Sequence, residues 1–242
     1  MQIISELIKY HWRQYLKTNK FVMPFAALII MLFTLYSSKP VEVTDSFISS
    51  CQFVFLIASW IGISLTGLED PVSEQIIILR IKSHKNYYII HTLFLLSISA
   101  ATSVICTAVP VLINLLNDGQ LFSRPLLVSD IITGFYLLFL SVFLGCTLGE
   151  LSHPRIIRDR KSALLLILFI DIVSFIKTAL ITGFPVLKFI LWIVPPISLL
   201  PSVFSNHRYF LLPAVAAVSA VLILYSCVLA LVKIQLLTKK KF

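Results

Sequence analysis

Asp171 is an ionisable residue in the middle of a long apolar run, Ala163 to Phe184, and that placement is the first sign of chemistry in the chain. A carboxylate at the centre of a membrane-crossing helix costs on the order of 2.5 to 3.5 kcal/mol on insertion scales, so Asp171 is expected to face protein or a watered path rather than lipid. Two readings follow: an interhelical hydrogen bond, or a side chain lining a transport pathway. Lys177 stands in the same run. Six residues place it on another helix face and about 9 Å further along the axis, so a direct pair with Asp171 is not expected. A lysine at that depth is expected to extend its long stem toward the nearer, exterior membrane surface.

Familiar catalytic sets are missing. The chain carries no GxSxG, no HExxH and no paired-glutamate motif with a downstream histidine, and its histidines are scattered at positions 11, 84, 91, 153 and 207. Its seven glycines, at 62, 67, 119, 134, 145, 149 and 183, never form the GxxxxGK turn that cradles nucleotide phosphates. The chain is therefore predicted to bind no cofactor. Cys51, Cys106, Cys146 and Cys227 fall within or at the edge of apolar stretches, where a small buried side chain is the expected role and a disulfide is not.

The elements that must position these residues are apolar helices. The chain has 242 residues, 58% hydrophobic and 13% charged, with a mean hydropathy of +0.96. That leaves too little polar residue to cover a soluble domain of this size. Six stretches read as membrane spans: Phe21 to Ser37, Phe47 to Leu68, Tyr87 to Leu116, Ile131 to Leu151, Ala163 to Phe184 and Leu211 to Val232. Of the twenty Lys and Arg, fifteen fall at the N-terminus, in the second and fourth connections and at the C-terminal end, through Lys239, Lys240 and Lys241. Only Lys39, Arg124, Lys188 and Arg208 fall on the other side, so both termini are predicted to be cytoplasmic. The net charge of +9 is thereby assigned to orientation and anionic lipid rather than to nucleic acid.

The first apolar stretch, at roughly 17 residues and about 25 Å, is short for a hydrocarbon core, and it is read as a retained span rather than a cleaved signal. Before it, Ile3, Ile4, Leu7, Ile8, His11, Trp12, Tyr15 and Leu16 recur at helical spacing with Lys9, Arg13 and Lys17 between them. Residues 1–20 are thus predicted to form an amphipathic helix in the cytoplasmic interface, with Pro24 marking the break that follows. Two pairs of small residues four apart, Ala58 with Gly62 and Gly145 with Gly149, suit close helix packing. The connection from Glu69 to Asn86 opens on Glu69, Asp70 and Pro71, a helix start, and mixes Ile76, Ile77 and Leu79 with Glu74 and Arg80. Either a partner or the bilayer surface would suit such a helix. The segment from Val186 to Leu200 is apolar but holds Lys188 and the Pro195–Pro196 pair, so it is predicted to dip into the bilayer and return rather than cross.

Glu74, Leu79, Arg80, Ser83, Tyr87 and Tyr88, with Trp192, Pro195, Pro196 and Pro201 in the segment Pro185 to Phe204, resemble the pattern of ABC-2 type transporter permeases. His91 stands where that family has a basic residue at the start of the third span. The resemblance implies one all-α polytopic membrane domain over residues 1–242, with six spans, the interfacial helix, a coupling helix over 69–86 and a re-entrant exterior segment over 185–210. It implies a second permease copy, homodimeric or related, and separate ABC ATPase subunits that hold the ATP. Glu74, Ile77, Leu79 and Arg80 would couple to the ATPase; Asp171, on its position within a span, is the candidate for the pathway beside its alternative as an interhelical hydrogen-bond partner. The expected activity is export across the cell membrane of a hydrophobic or amphipathic molecule, such as a peptide or lipid-linked compound. The alternatives are a non-transporting membrane partner, such as an immunity or sensor protein, and then an intramembrane enzyme.

Overall fold

A computed structural model describes residues 2–205 and 207–239, so Lys240 and Lys241 lie outside the described residues. Among these, ten α-helices form in chain order: α1 Gln2–Lys17, α2 Val22–Leu35, α3 Val43–Leu65, α4 Pro71–Ile81, α5 His84–Leu116, α6 Val128–Gly149, α7 Arg160–Gly183, α8 Lys188–Leu191, α9 Leu199–Phe204 and α10 Leu212–Lys239. Five of them are long and apolar enough to cross a membrane: α3, α5, α6 with the short turn to Ser152, α7 and α10. The count is six if α1 and α2, which meet at 79°, are taken as one bent span. The chain is an all-α polytopic membrane protein.

The α1–α2 bend does not come from proline. Asn19 adopts a left-handed backbone with φ 53°, which Asn tolerates better than most residues, and the Thr18 hydroxyl closes α1 on the Tyr15 carbonyl. Pro24 sits inside the first turn of α2, where its missing N–H breaks no helical bond. The break expected at Pro24 therefore lies five residues earlier.

α3 and α6 make the centre of the bundle. Over half of their most apolar windows is buried, 56% and 61%, against 22% for α7 at the edge. The two small-residue pairs explain the closeness, because they face each other. A methyl group on Gly149 would overlap the Ser59 carbonyl oxygen and stand 2.9 Å from the Ile63 amide nitrogen, and one on Gly62 would overlap the Cys146 carbonyl. Such backbone-to-backbone approach leaves no room for a Cβ. Cys51, Cys106 and Cys146 are buried free thiols in this core, and Cys227 is an exposed one.

One end of the bundle is tied by backbone and one ion pair. Val41 bridges to Phe122, and Thr44 donates to the Arg208 carbonyl at 2.9 Å. Arg124 grips Asp130, in the first turn of α6, with two nitrogens at 2.6 and 3.0 Å, and Asp130 accepts from the Leu127 amide. A carboxylate there also meets the positive end of the helix. At the other end α1, α4, the start of α5 and the end of α10 come together, with Leu7, Ile77, Ile81 and Ile234 packed on Ile78, Tyr87, Tyr88 and Leu237.

Candidate functional site

α4 occupies a smaller part of the second connection than 69–86, since Asn86 already belongs to α5. Asp70 precedes its first turn in an extended conformation, and Lys82 ends it in a left-handed one with φ 59°. Ser83 then caps α5 by accepting from the Asn86 amide at 3.3 Å. Within α4 the spacing separates two faces. Glu74 and Ile78, four apart, turn inward and are 6% and 4% exposed, whereas Val72, Ile76 and Leu79 turn outward, with Leu79 75% exposed.

Glu74 is thus an anchor of α4, not a surface group. The Tyr88 hydroxyl donates to one carboxylate oxygen at 3.0 Å, Arg155 donates to the other, and a second Arg155 nitrogen donates to the Tyr88 oxygen at 2.8 Å. Burial nevertheless pushes the Glu74 carboxyl above its ordinary value, against the opposing pull of Arg155 and Tyr88. Ile77 is half-buried on the Tyr87–Tyr88 cluster. Of the four residues expected to couple to a partner, only Leu79 and Arg80 are exposed, and the apolar surface beside them comes from Val72 and Ile76. A groove of about 640 Å³ runs between α4 and α1, lined by Glu6, Leu7 and Tyr10 on one wall and Ser73, Ile76 and Arg80 on the other.

Behind α4 lies a buried polar junction that the sequence reading did not assemble. Tyr87 donates to Glu69 at 2.5 Å, and His11 Nδ1 stands 3.0 Å from the other Glu69 oxygen without the alignment of a hydrogen bond. Burial raises the Glu69 carboxyl, but His11 and Tyr87 together outweigh it and hold it below its ordinary value. Glu150, at the end of α6, lies 2.9 Å from His91 of α5 and is paired with Lys233 of α10. Next to it His153 accepts from the Arg155 amide at 3.2 Å through Nδ1. Burial first, then the nearby Arg155 charge, pushes its imidazole down to about 4, so it is neutral at physiological pH. Glu69, Tyr87, His91, Glu150, His153 and Lys233 line a cavity of about 30 Å³, room for a water molecule among many polar partners. Glu150 closes a 19-residue stretch without charge, and an acid so placed was the available signal.

Asp171 occupies a second site, between α3 and α7. It is 6% exposed, the Ser59 hydroxyl is bonded to Oδ2, and Oδ1 has no hydrogen-bond partner. Ser59 also lies 2.9 Å from the Leu56 carbonyl, and its single proton serves one acceptor at a time. The pair therefore accommodates both protonation states of Asp171: an anion receiving the hydroxyl proton, or an acid donating to a hydroxyl that turns to Leu56. A cleft of about 350 Å³ opens here, lined by Leu56, Ser59, Trp60, Ile63, Leu164, Leu168, Asp171 and Ile172.

Lys177 does not extend outward as expected. It is 8% exposed and donates to the Val194 carbonyl at 2.7 Å, while the neighbouring Thr178 hydroxyl bonds Ser198 at 2.8 Å. The segment after α7 is thereby folded back along it. Lys177 lies six residues, about 9 Å, short of the end of α7, and its desolvated ammonium is satisfied by the Val194 carbonyl of the folded-back stretch.

No group of three or more His, Cys, Asp and Glu among the described residues is arranged to hold a metal ion. Comparison with protein-family models, with curated proteins and with solved structures finds no match to this chain.

Proposed function

We propose that the chain is the membrane-spanning permease subunit of an ATP-driven exporter of the ABC-2 type, placed in the cell membrane with both termini cytoplasmic. ATP is hydrolysed on a separate ATPase subunit, and two permease copies enclose the path. In this reading α1 lies in the cytoplasmic interface, its bend into α2 brings the chain into the bilayer, and the Pro185–Phe204 segment re-enters from outside. Asp171 belongs to the path through which cargo leaves.

The observation that carries the reading is the two-sidedness of α4. Its outer face offers Val72, Ile76 and Leu79 beside Arg80, the apolar-plus-arginine composition in which interfaces concentrate their energy. Its inner face is held by Glu74 to Tyr88 at the start of α5 and to Arg155 in the connection leading to α7. A load applied to the outer face therefore reaches two spans at once, which is what a coupling helix requires.

Copurification from detergent tests this. An ABC ATPase is expected to accompany the unmodified chain, and Ile76→Asp with Leu79→Asp is expected to release it, because two carboxylates would be buried without partners. Both residues lie outside the spans, so insertion is expected to be unaffected. A chain that brings down no ATPase sinks the transporter reading; a double variant that still holds one moves the contact to the α1 wall of the groove.

A further inference from the structure

The cleft between α3 and α7 combines features that a lipid-facing surface does not need. Leu164, Leu168, Ile172 and Trp60 are all exposed, so the cleft opens on the outside of the bundle, beside the middle of α7. Its volume of about 350 Å³ is within the usual range for a small-molecule pocket. Asp171 is the one ionisable side chain in its lining, and that carboxyl has an oxygen with no partner.

The cations of α7 stand away from Asp171. Lys177, six residues on in the same helix, is bonded to the Val194 carbonyl. Arg160 and Lys161 start α7 eleven and ten residues before Asp171, about 15 Å away along the axis. Among the described residues no Lys, Arg or His forms an ion pair with Asp171. A buried carboxyl with half of its acceptors empty, set in an apolar cleft, is complementary to a molecule with an apolar body and one ammonium group.

We propose that the α3–α7 cleft binds cationic amphiphiles, with Leu56, Trp60, Leu164 and Leu168 receiving the apolar body and the Asp171 carboxyl receiving the ammonium. Ser59 keeps the carboxyl oriented through its bond to Oδ2. An acyl chain alone would fill the walls but leave Oδ1 empty, and an anionic amphiphile would be repelled by ionised Asp171. The proposal deepens the exporter reading by naming the class of cargo, and it rests on that reading for the step in which the bound molecule is moved. Binding itself needs no ATPase.

Trp60 provides the readout. The chain has three tryptophans, so Trp12→Phe with Trp192→Phe leaves Trp60 as the sole fluorophore in the purified full chain in zwitterionic nanodiscs. Nitroxide-labelled dodecylamine is titrated against nitroxide-labelled dodecanol, both partitioning into the same bilayer. The amine is expected to quench Trp60 at a membrane concentration roughly tenfold or more below that of the alcohol, the factor a charge-assisted hydrogen bond supplies. Asp171→Asn, which keeps shape and removes charge, is expected to make the two curves coincide, and Asp171→Glu to retain the amine preference. Equal quenching by amine and alcohol in the unmodified cleft overturns the proposal, as does an amine preference that survives Asp171→Asn. Amine binding by a chain that copurifies no ATPase would leave the site standing while the exporter reading falls.

Discussion

Gly149→Ala probes the contact on which the bundle is built. The added methyl would overlap the Ser59 carbonyl oxygen and lie 2.9 Å from both the Ser59 carbonyl carbon and the Ile63 amide nitrogen. All three atoms are backbone, so no side chain can rotate away and α3 must part from α6. Overpacking of this kind costs about 1–3 kcal/mol. The rigidity of the obstacle puts Gly149→Ala near the top of that range, and alanine recovers about 1 kcal/mol in helix propensity. The net loss is about 2 kcal/mol, roughly thirtyfold in the unfolding equilibrium. Reversible unfolding by SDS in mixed micelles, followed by far-ultraviolet circular dichroism, reads it. Gly183→Ala is the matched control, since a methyl there meets nothing within 4 Å. Equal midpoints for the two variants would refute the α3–α6 geometry. Because Ser59 lies in this contact and holds Asp171, the Gly149 variant is also expected to loosen the cleft.

Arg155→Ala is expected to destabilise the protein by about 3–5 kcal/mol, the usual result of leaving one partner of a buried pair behind, because Glu74 keeps only the Tyr88 hydroxyl. Glu74→Gln in the same chain is expected to recover part of that loss in SDS unfolding, and full additivity of the two changes would mean that the pair is not coupled. His153 gives a pH dependence with a defined sign: its folded value, near 4 against an ordinary 6.5, means that the unfolded chain binds the proton first. Stability from this group is complete above about 6.5 and is lost as pH falls toward 4, up to about 3 kcal/mol. The difference between the unmodified chain and His153→Asn, measured at pH 7.5 and 5, is expected to shrink at the lower pH, and a constant difference would contradict the assignment.

The helices were legible because apolar length is a local property: four of the predicted stretches coincide with long helices to within about four residues at each end, and the fifth, Leu211 to Val232, stops seven residues short of the end of α10. The facing of Ala58 and Gly62 on Gly145 and Gly149 was legible as a spacing, though not as a pairing. What local reading missed depends on partners far along the chain. Glu74 was expected to face an ATPase because it is a charge on a helix between two spans, yet Arg155, which turns it inward, is 81 residues away. Ser59 and Asp171 are 112 residues apart, and Lys233 reaches Glu150 across 83. The α1–α2 bend escaped for a different reason: a left-handed Asn19 leaves no mark as plain as proline.

Asp171 and Lys177 are six residues apart on one unbroken helix, which sets them about 120° apart around its axis. α7 therefore carries the cleft on one side and, through Lys177 and Thr178, the folded-back Val194–Ser198 segment on another. A rigid rod cannot twist at one of these points alone. Any turn of α7 that reshapes the surroundings of Asp171 also drags the Val194–Ser198 stretch, so the cleft and the folded-back segment are geared to each other like two teeth on one shaft.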